Sequence, residues 1–403
     1  MPAFVRTVQI TNYKSIARCR VELGPLTFLV GPNGSGKSNF LDAMRFVADS
    51  LDTTLEQALR DRGGIQSVRR RSRGHPTHFG IRLDVALRDG RAGFYAFKVG
   101  AERDGGFVVQ REECQLVPGL SGMQDAFLVE EGALVRSSRE IPSALQRDRL
   151  ALVAISGLAE FRPLYEELRR MAFYNLSPER VRDLQEPDPG HKLVRDGRNL
   201  AAIVREMGRF DKGRILASVV EHLQAVVPGV VSVEHRTLGP KETVEFRQQV
   251  AGDANPWRFL AAEMSDGTLR ALGILVAAFQ AEMDGQRGVS LVGVEEPEMA
   301  LHPGAAEVIA EVLRVASERV QVVATTHSPD LLNHKAIRDG QLLAVSADGG
   351  GTLIGPLEPG ARSALRDRLY AAGELLAQGS IGPDQELVAE GLRQLRLFSD
   401  QTE

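Results

Sequence analysis

The sequence predicts an α/β fold, and three observations predict it. An apolar run, Leu26 to Val30, leads into the loop Gly31-Pro32-Asn33-Gly34-Ser35-Gly36-Lys37-Ser38, and apolar residues then recur at helical spacing from Asn39 to Val47. Between His78 and Gln115, segments of alternating apolar and polar residues read as an antiparallel meander. A second buried-strand run, Ser290 to Val294, ends in Glu295-Glu296-Pro297, where a parallel α/β sheet presents its ligands.

The loop matches G-x-x-x-x-G-K-[ST], and strand, glycine loop and helix start stand in the order that gives this pattern its meaning. Glycines permit the tight turn that aims backbone N–H groups at phosphates, at the positive end of a helix. Lys37 is expected to reach the β- and γ-phosphates and the Ser38 hydroxyl to ligate Mg²⁺. The chain is expected to bind a nucleotide, with Asn33, Gly34, Ser35, Gly36, Lys37, Ser38 and Asn39 as candidate contacts.

Composition sets the outer limits. The 403 residues are enough for two or three domains or lobes, with 43% apolar and 25% charged residues. A net charge of −4 excludes a global basic field, so any nucleic-acid site must be local. Cys19 and Cys114 are far apart and fit no metal spacing, as expected of reduced thiols in a cytoplasmic protein. No apolar run approaches the ~20 residues that span a bilayer. The amino-terminal residues lack a signal-peptide pattern, and no membrane partner is expected.

In chain order, Phe4 to Ile10 and Ile16 to Leu23 read as strands. Thr11 to Ser15 between them reads either as a short polar turn or as a contact to the nucleotide. A run of arginines, Arg69, Arg70, Arg71 and Arg73, reads either as a lining for a phosphodiester backbone or as a solvated loop. Asp89-Gly90 is a hairpin turn pair. From about Ser138 to Val227 the pattern is helical, broken by Glu186-Pro187-Asp188-Pro189-Gly190. Val230 to Val233 and Thr243 to Val250 read as returning strands, and the tail carries helical runs near Ala361 to Gln378 and Asp384 to Leu397.

In the C-terminal third, Glu295 is placed to hold Mg²⁺ and Glu296 to orient and activate the attacking water. A second apolar strand, Val320 to Ala324, ends in Thr325-Thr326-His327-Ser328, with His327 as a candidate sensor of the γ-phosphate. Ser265 is a good helix N-cap, and Gly267 allows a phosphate to approach the helix start.

Together these motifs resemble the ABC-type ATPase head of the SMC/RecF-like superfamily, and more closely the AAA-type ATPases related to OLD-family heads. Val289 to Pro297 resembles their Walker B with its catalytic glutamate, Glu298 to His302 the D-loop, and Thr326 to Ser328 the switch histidine. Ala262 to Arg270 is similar to the signature motif, and Asn12 to Ser15 to a short motif whose basic residue, here Lys14, contacts nucleotide. The resemblance implies a P-loop NTPase with an ABC-type two-lobe head. That head has a mixed sheet, an antiparallel β part in the N-lobe, a RecA-like core and a helical insert. The expected boundaries are 1–137 for the N-lobe, 138–228 for the insert, 229–345 for the C-lobe and 346–403 for a helical tail. Neither a Toprim nuclease domain nor a long coiled coil is expected. Such heads place a glutamine between metal and nucleophile, and Gln66 is the residue considered for it.

The resemblance further implies ATP with Mg²⁺, Glu296 and His327 as catalytic residues, and a homodimer closed by ATP. There Ser265 and Gly267 of one subunit face the loop of the other. A role on DNA, in recombination, repair or defence against phage, with a separate effector protein as an optional partner, is the first expectation. An ATP-gated scaffold or sensor that holds a protein partner without nucleic acid is the alternative. A transporter's ATPase subunit and a small-molecule kinase fit the motifs less well.

Overall fold

Alternation along the N-terminal third decides the first sheet. The computed structural model describes residues 4–72, 74–103, 105–117, 124–141, 145–283 and 288–399. It divides into two units, one of residues 2–171, 340–362 and 381–403, the other of 172–339 and 363–380. In the first unit, seven strands among the described residues lie side by side in an antiparallel sheet. Their order is Ile16–Glu22, Val5–Tyr13, His78–Ala86, Ala92–Ala101, Phe107–Val117, Asp125–Glu130 and Ala133–Ser137. Alternate residues such as Val8, Ile10, Ile81 and Leu83 are buried, as a sheet with one face on a core requires.

The helix that follows the glycine loop, Lys37–Asp52, packs on this unit's core through Phe40, Met44, Phe46 and Val47. Phe46 meets Phe79 edge-on with ring centroids 5.3 Å apart and Tyr13 at 6.1 Å. Leu26–Val30 is buried along its whole length and pairs in parallel with Leu342–Asp348, which pairs antiparallel with Gly351–Pro356. The tail was expected to hold helices alone. Its strand Gly351–Pro356 instead closes a hairpin with Leu342–Asp348 across Gly349 and Gly350, a local turn signal that the helical reading of the tail passed over.

In the second unit, the strands Gln321–Thr326, Leu291–Glu295 and Met171–Tyr174 lie in that order, and the first two pair in parallel from Leu291 opposite Gln321 to Glu295 opposite Thr325. Met171–Tyr174 falls within the stretch expected to be helical. All four of its residues are buried, and a run so short cannot show a strand's alternation. A separate antiparallel sheet is formed by Val230–Leu238, Lys241–Gln248 and Trp257–Leu260. The helix Asp266–Phe279 is apolar around most of its circumference and is buried from Thr268 to Phe279, so it is a core helix rather than an amphipathic surface one.

Candidate active site

In the first unit, the phosphate loop is built from contacts that pin a glycine turn. Gly36 has φ +107°, and a Cβ there would sit 2.0 Å from Thr352 Oγ1, so only glycine fits. Thr352 in turn donates to Ser35 O (2.9 Å) and meets Ser15 Oγ (2.7 Å). Asn39 Nδ2 donates to the same Ser15 oxygen at 2.7 Å. Lys37 Nζ donates to Gly31 O (2.7 Å) and Pro32 O (2.9 Å) and so lies along the loop's inner face. Asn33, Gly34 and Ser38 are exposed, whereas Ser35 is buried and its hydroxyl has no partner.

A 16-residue helix starts at this loop with no side-chain cap on its N-terminus. Uncapped N–H groups, a lysine and a buried unpaired hydroxyl form a donor set that fits phosphate, and the exposed Ser38 hydroxyl fits a hard cation.

Lys14 lies elsewhere. Its ammonium is 2.5 Å from Asp42 Oδ2 on the loop helix, and Tyr13 OH donates to the same oxygen at 2.8 Å. Burial alone would push the Asp42 carboxyl up, but Arg62, Arg45 and Lys14 outweigh it and hold it well below the usual carboxylate range. Gln66 has its carbonyl oxygen taken by Arg69. Arg69 also donates to Pro76 O, Arg70 donates to Ser15 O, and Arg71 donates to Gln66 O. Arg73 lies outside the described residues.

The second unit gathers the carboxylates. Glu295 closes its strand, and its Oε1 is 2.6 Å from Arg195 Nη2. Glu296 stands at φ +44°, a left-handed conformation that costs a non-glycine residue about 1–3 kcal/mol and persists only under restraint. Its restraints are visible. Its N–H donates to Thr325 O (3.0 Å), and its carbonyl accepts from Arg270 Nη2 (2.8 Å). The result brings the Glu296 carboxylate to 3.2 Å from His327 Nδ1. Glu298, buried nearby, accepts from Thr326 Oγ1 (2.7 Å) and from the His327 N–H (3.4 Å), and its second oxygen has no hydrogen-bond partner.

Ser265 caps the core helix by accepting from Thr268 N at 3.2 Å and is exposed. A Cβ on Gly267 would come within 2.9 Å of Ala300 O, so glycine is required where the first turn of this helix passes the loop at Ala300.

Sequence reasoning gave no role to Thr352 or Arg195, and reached Arg270 and Glu298 only as the ends of the stretches similar to the signature motif and the D-loop. Arg270 had a further signal, a charged residue in an otherwise apolar helical run. Thr352 and Arg195 had none.

Residues 26–118 and 124–333 match the family described as "AAA domain, putative AbiEii toxin, Type IV TA system". The chain belongs to this family. Among characterised relatives of this AAA-domain chain, the OLD nuclease of Thermus scotoductus is 23% identical over 350 residues, 83% of this chain and 61% of that one. The DNA replication and repair protein RecF of Gloeobacter violaceus is 37% identical over 93 residues, 22% and 24% of the two chains. The chromosome partition protein Smc of Desulfitobacterium hafniense is 49% identical over 49 residues, 12% and 4%. The chain therefore spans less than two thirds of each of these relatives.

Two solved Smc heads share the fold. One, bound to the C-winged helix domain of ScpA, superposes with a TM-score of 0.51 at 13% identity over 87% of this chain and 97% of that one. The other, from Pyrococcus furiosus with an extended coiled coil and bound to the C-terminal domain of ScpA, gives 0.51 at 14% over 92% and 100%. The fold is that of an ABC/SMC-type ATPase head, as the motifs implied. Among the described residues no helix is long and apolar enough to cross a membrane.

Proposed function

We propose that the chain binds ATP with Mg²⁺, hydrolyses it, and dimerises while ATP is held. The observation that carries the reading is the Glu296 carboxylate held 3.2 Å from the His327 ring by a strained, restrained backbone. A carboxylate in that position suits the orientation of an attacking water, and a histidine beside it can hold or pass a proton. Lys37 and the loop N–H groups would grip the β- and γ-phosphates, with Ser38 and Glu295 toward the metal. Mg²⁺, when bound, supplies neutralisation of phosphate charge. Ser265 and Gly267, exposed or half-buried at a helix start, would serve the nucleotide of a second subunit.

The reading extends to DNA because RecF, OLD nuclease and Smc all carry names that connect them with nucleic acid or chromosomes. One observation favours the alternative, a scaffold or sensor that engages a protein partner. Arg69 and Arg70 direct side-chain donors into the chain's own carbonyls, which leaves fewer for a phosphate backbone. Steady-state ATP turnover with and without linear double-stranded DNA, at low and moderate salt, separates the two. A several-fold rise with DNA that fades with salt supports the DNA role. An indifferent rate moves the weight to the scaffold. Lys37→Ala should abolish nucleotide binding, and unchanged affinity in that variant would remove the loop from the account.

A further inference from the structure

Between Pro187 and Asn199 the second unit carries an irregular segment that begins at the Pro- and Asp-rich break. Loops of this length inside a folded unit are uncommon and are mostly functional. This one is held by buried amides. Asn199, 4% exposed, accepts from Val194 N (2.8 Å) and donates to Lys192 O (3.0 Å) and Asp188 Oδ1 (3.2 Å). Gln280, fully buried, accepts from Leu193 N (3.1 Å) and donates to His191 O (3.1 Å). The Arg195 carbonyl accepts from Asn175 N at 3.0 Å, just beyond the strand Met171–Tyr174. The product of this bracing is one guanidinium set 2.6 Å from the Glu295 carboxylate, at the end of the neighbouring strand.

We infer that Arg195 is a positioning residue that occupies Glu295 until a divalent cation claims it, so that the braced loop sets the Mg²⁺ level at which nucleotide is held. The inference rests on the proposed role of Glu295 at the metal. Guanidinium and cation seek the same carboxylate oxygen, and each neutralises the same charge, so they exclude one another. The exchange asks little of the fold. Arg195 is 42% exposed, and its side chain can rotate into solvent while its backbone stays anchored. An ion pair this exposed is weak, which makes it displaceable.

The test follows binding of a fluorescent N-methylanthraniloyl ATP to the full chain while Mg²⁺ is titrated. Arg195→Ala should lower the Mg²⁺ midpoint by about two- to five-fold and leave binding in EDTA unchanged. Arg195→Lys, which keeps the charge, should stay near the wild type. In a Glu295→Gln background the alanine substitution should produce no further shift, because the pair is already broken. An unchanged midpoint in Arg195→Ala overturns the inference. So does weaker nucleotide binding at every Mg²⁺ level, since the arginine would then be reaching a phosphate. Wild-type binding that depends on Lys37 but ignores Mg²⁺ defeats this inference alone, whereas a wild type that binds no nucleotide defeats the ATP reading beneath it.

Discussion

At Gly36 a single hydrogen atom in place of a side chain lets the loop turn at φ +107° against Thr352. Gly36→Ala should therefore weaken nucleotide binding at least ten-fold and lower stability by about 1–3 kcal/mol, read by ligand titration and thermal melting. Glu112 shows the other kind of residue-scale control. Burial pushes its carboxyl up to about 7, against the opposing pull of Leu152 N–H, Ala151 N–H and Tyr95 OH. A carboxyl raised on folding contributes stability that is fully present below its unfolded value and is lost as pH rises through about 7. The melting midpoint should fall between about pH 4.5 and pH 7, by the equivalent of roughly 3 kcal/mol from this group. Glu112→Gln should flatten that part of the profile, and an unaltered slope would show that another group carries it.

At the scale of elements, the phosphate-loop helix depends on its seat in the aromatic cluster. Phe46 is fully buried between Tyr13, Phe79 and Phe97. Phe46→Ala should cost about 3–5 kcal/mol in denaturant unfolding, with nucleotide affinity falling alongside as the helix start loses its support. This helix was readable from its apolar spacing. The strand Met171–Tyr174 was not, because four buried residues in a row carry no period, and neither was Gly351–Pro356. The first is a strand because it lies beside the distant Leu291–Glu295, the second because it closes a hairpin with Leu342–Asp348.

At the scale of the molecule, the first unit is drawn from three separated segments of chain. Its last segment is tied down far from its neighbours in sequence. Arg396 N donates to Gln9 Oε1 at 2.8 Å, Ser399 N donates to Glu113 at 3.2 Å, and Phe398 lies under the Arg111 guanidinium. Quaternary structure is the level at which ATP would act. Glu296→Gln removes the carboxylate that would activate water and leaves the loop untouched, so it should accumulate an ATP-bound dimer in sedimentation or light scattering. A monomer at every ATP concentration in that variant would sink the dimer.

The sequence alone determined the fold class, the family, the glycine loop that opens a helix and the order of the acidic and histidine motifs. These are written in contiguous residues, where spacing along a strand or around a helix is itself the geometry. Tertiary structure decided what holds those motifs in place. Thr352 pins the loop, Asp42 draws Lys14 onto the loop helix, and Arg195 closes on Glu295. Each of these contacts joins side chains that are remote in sequence, and a contact of that kind leaves no period, spacing or composition to read before the chain has folded.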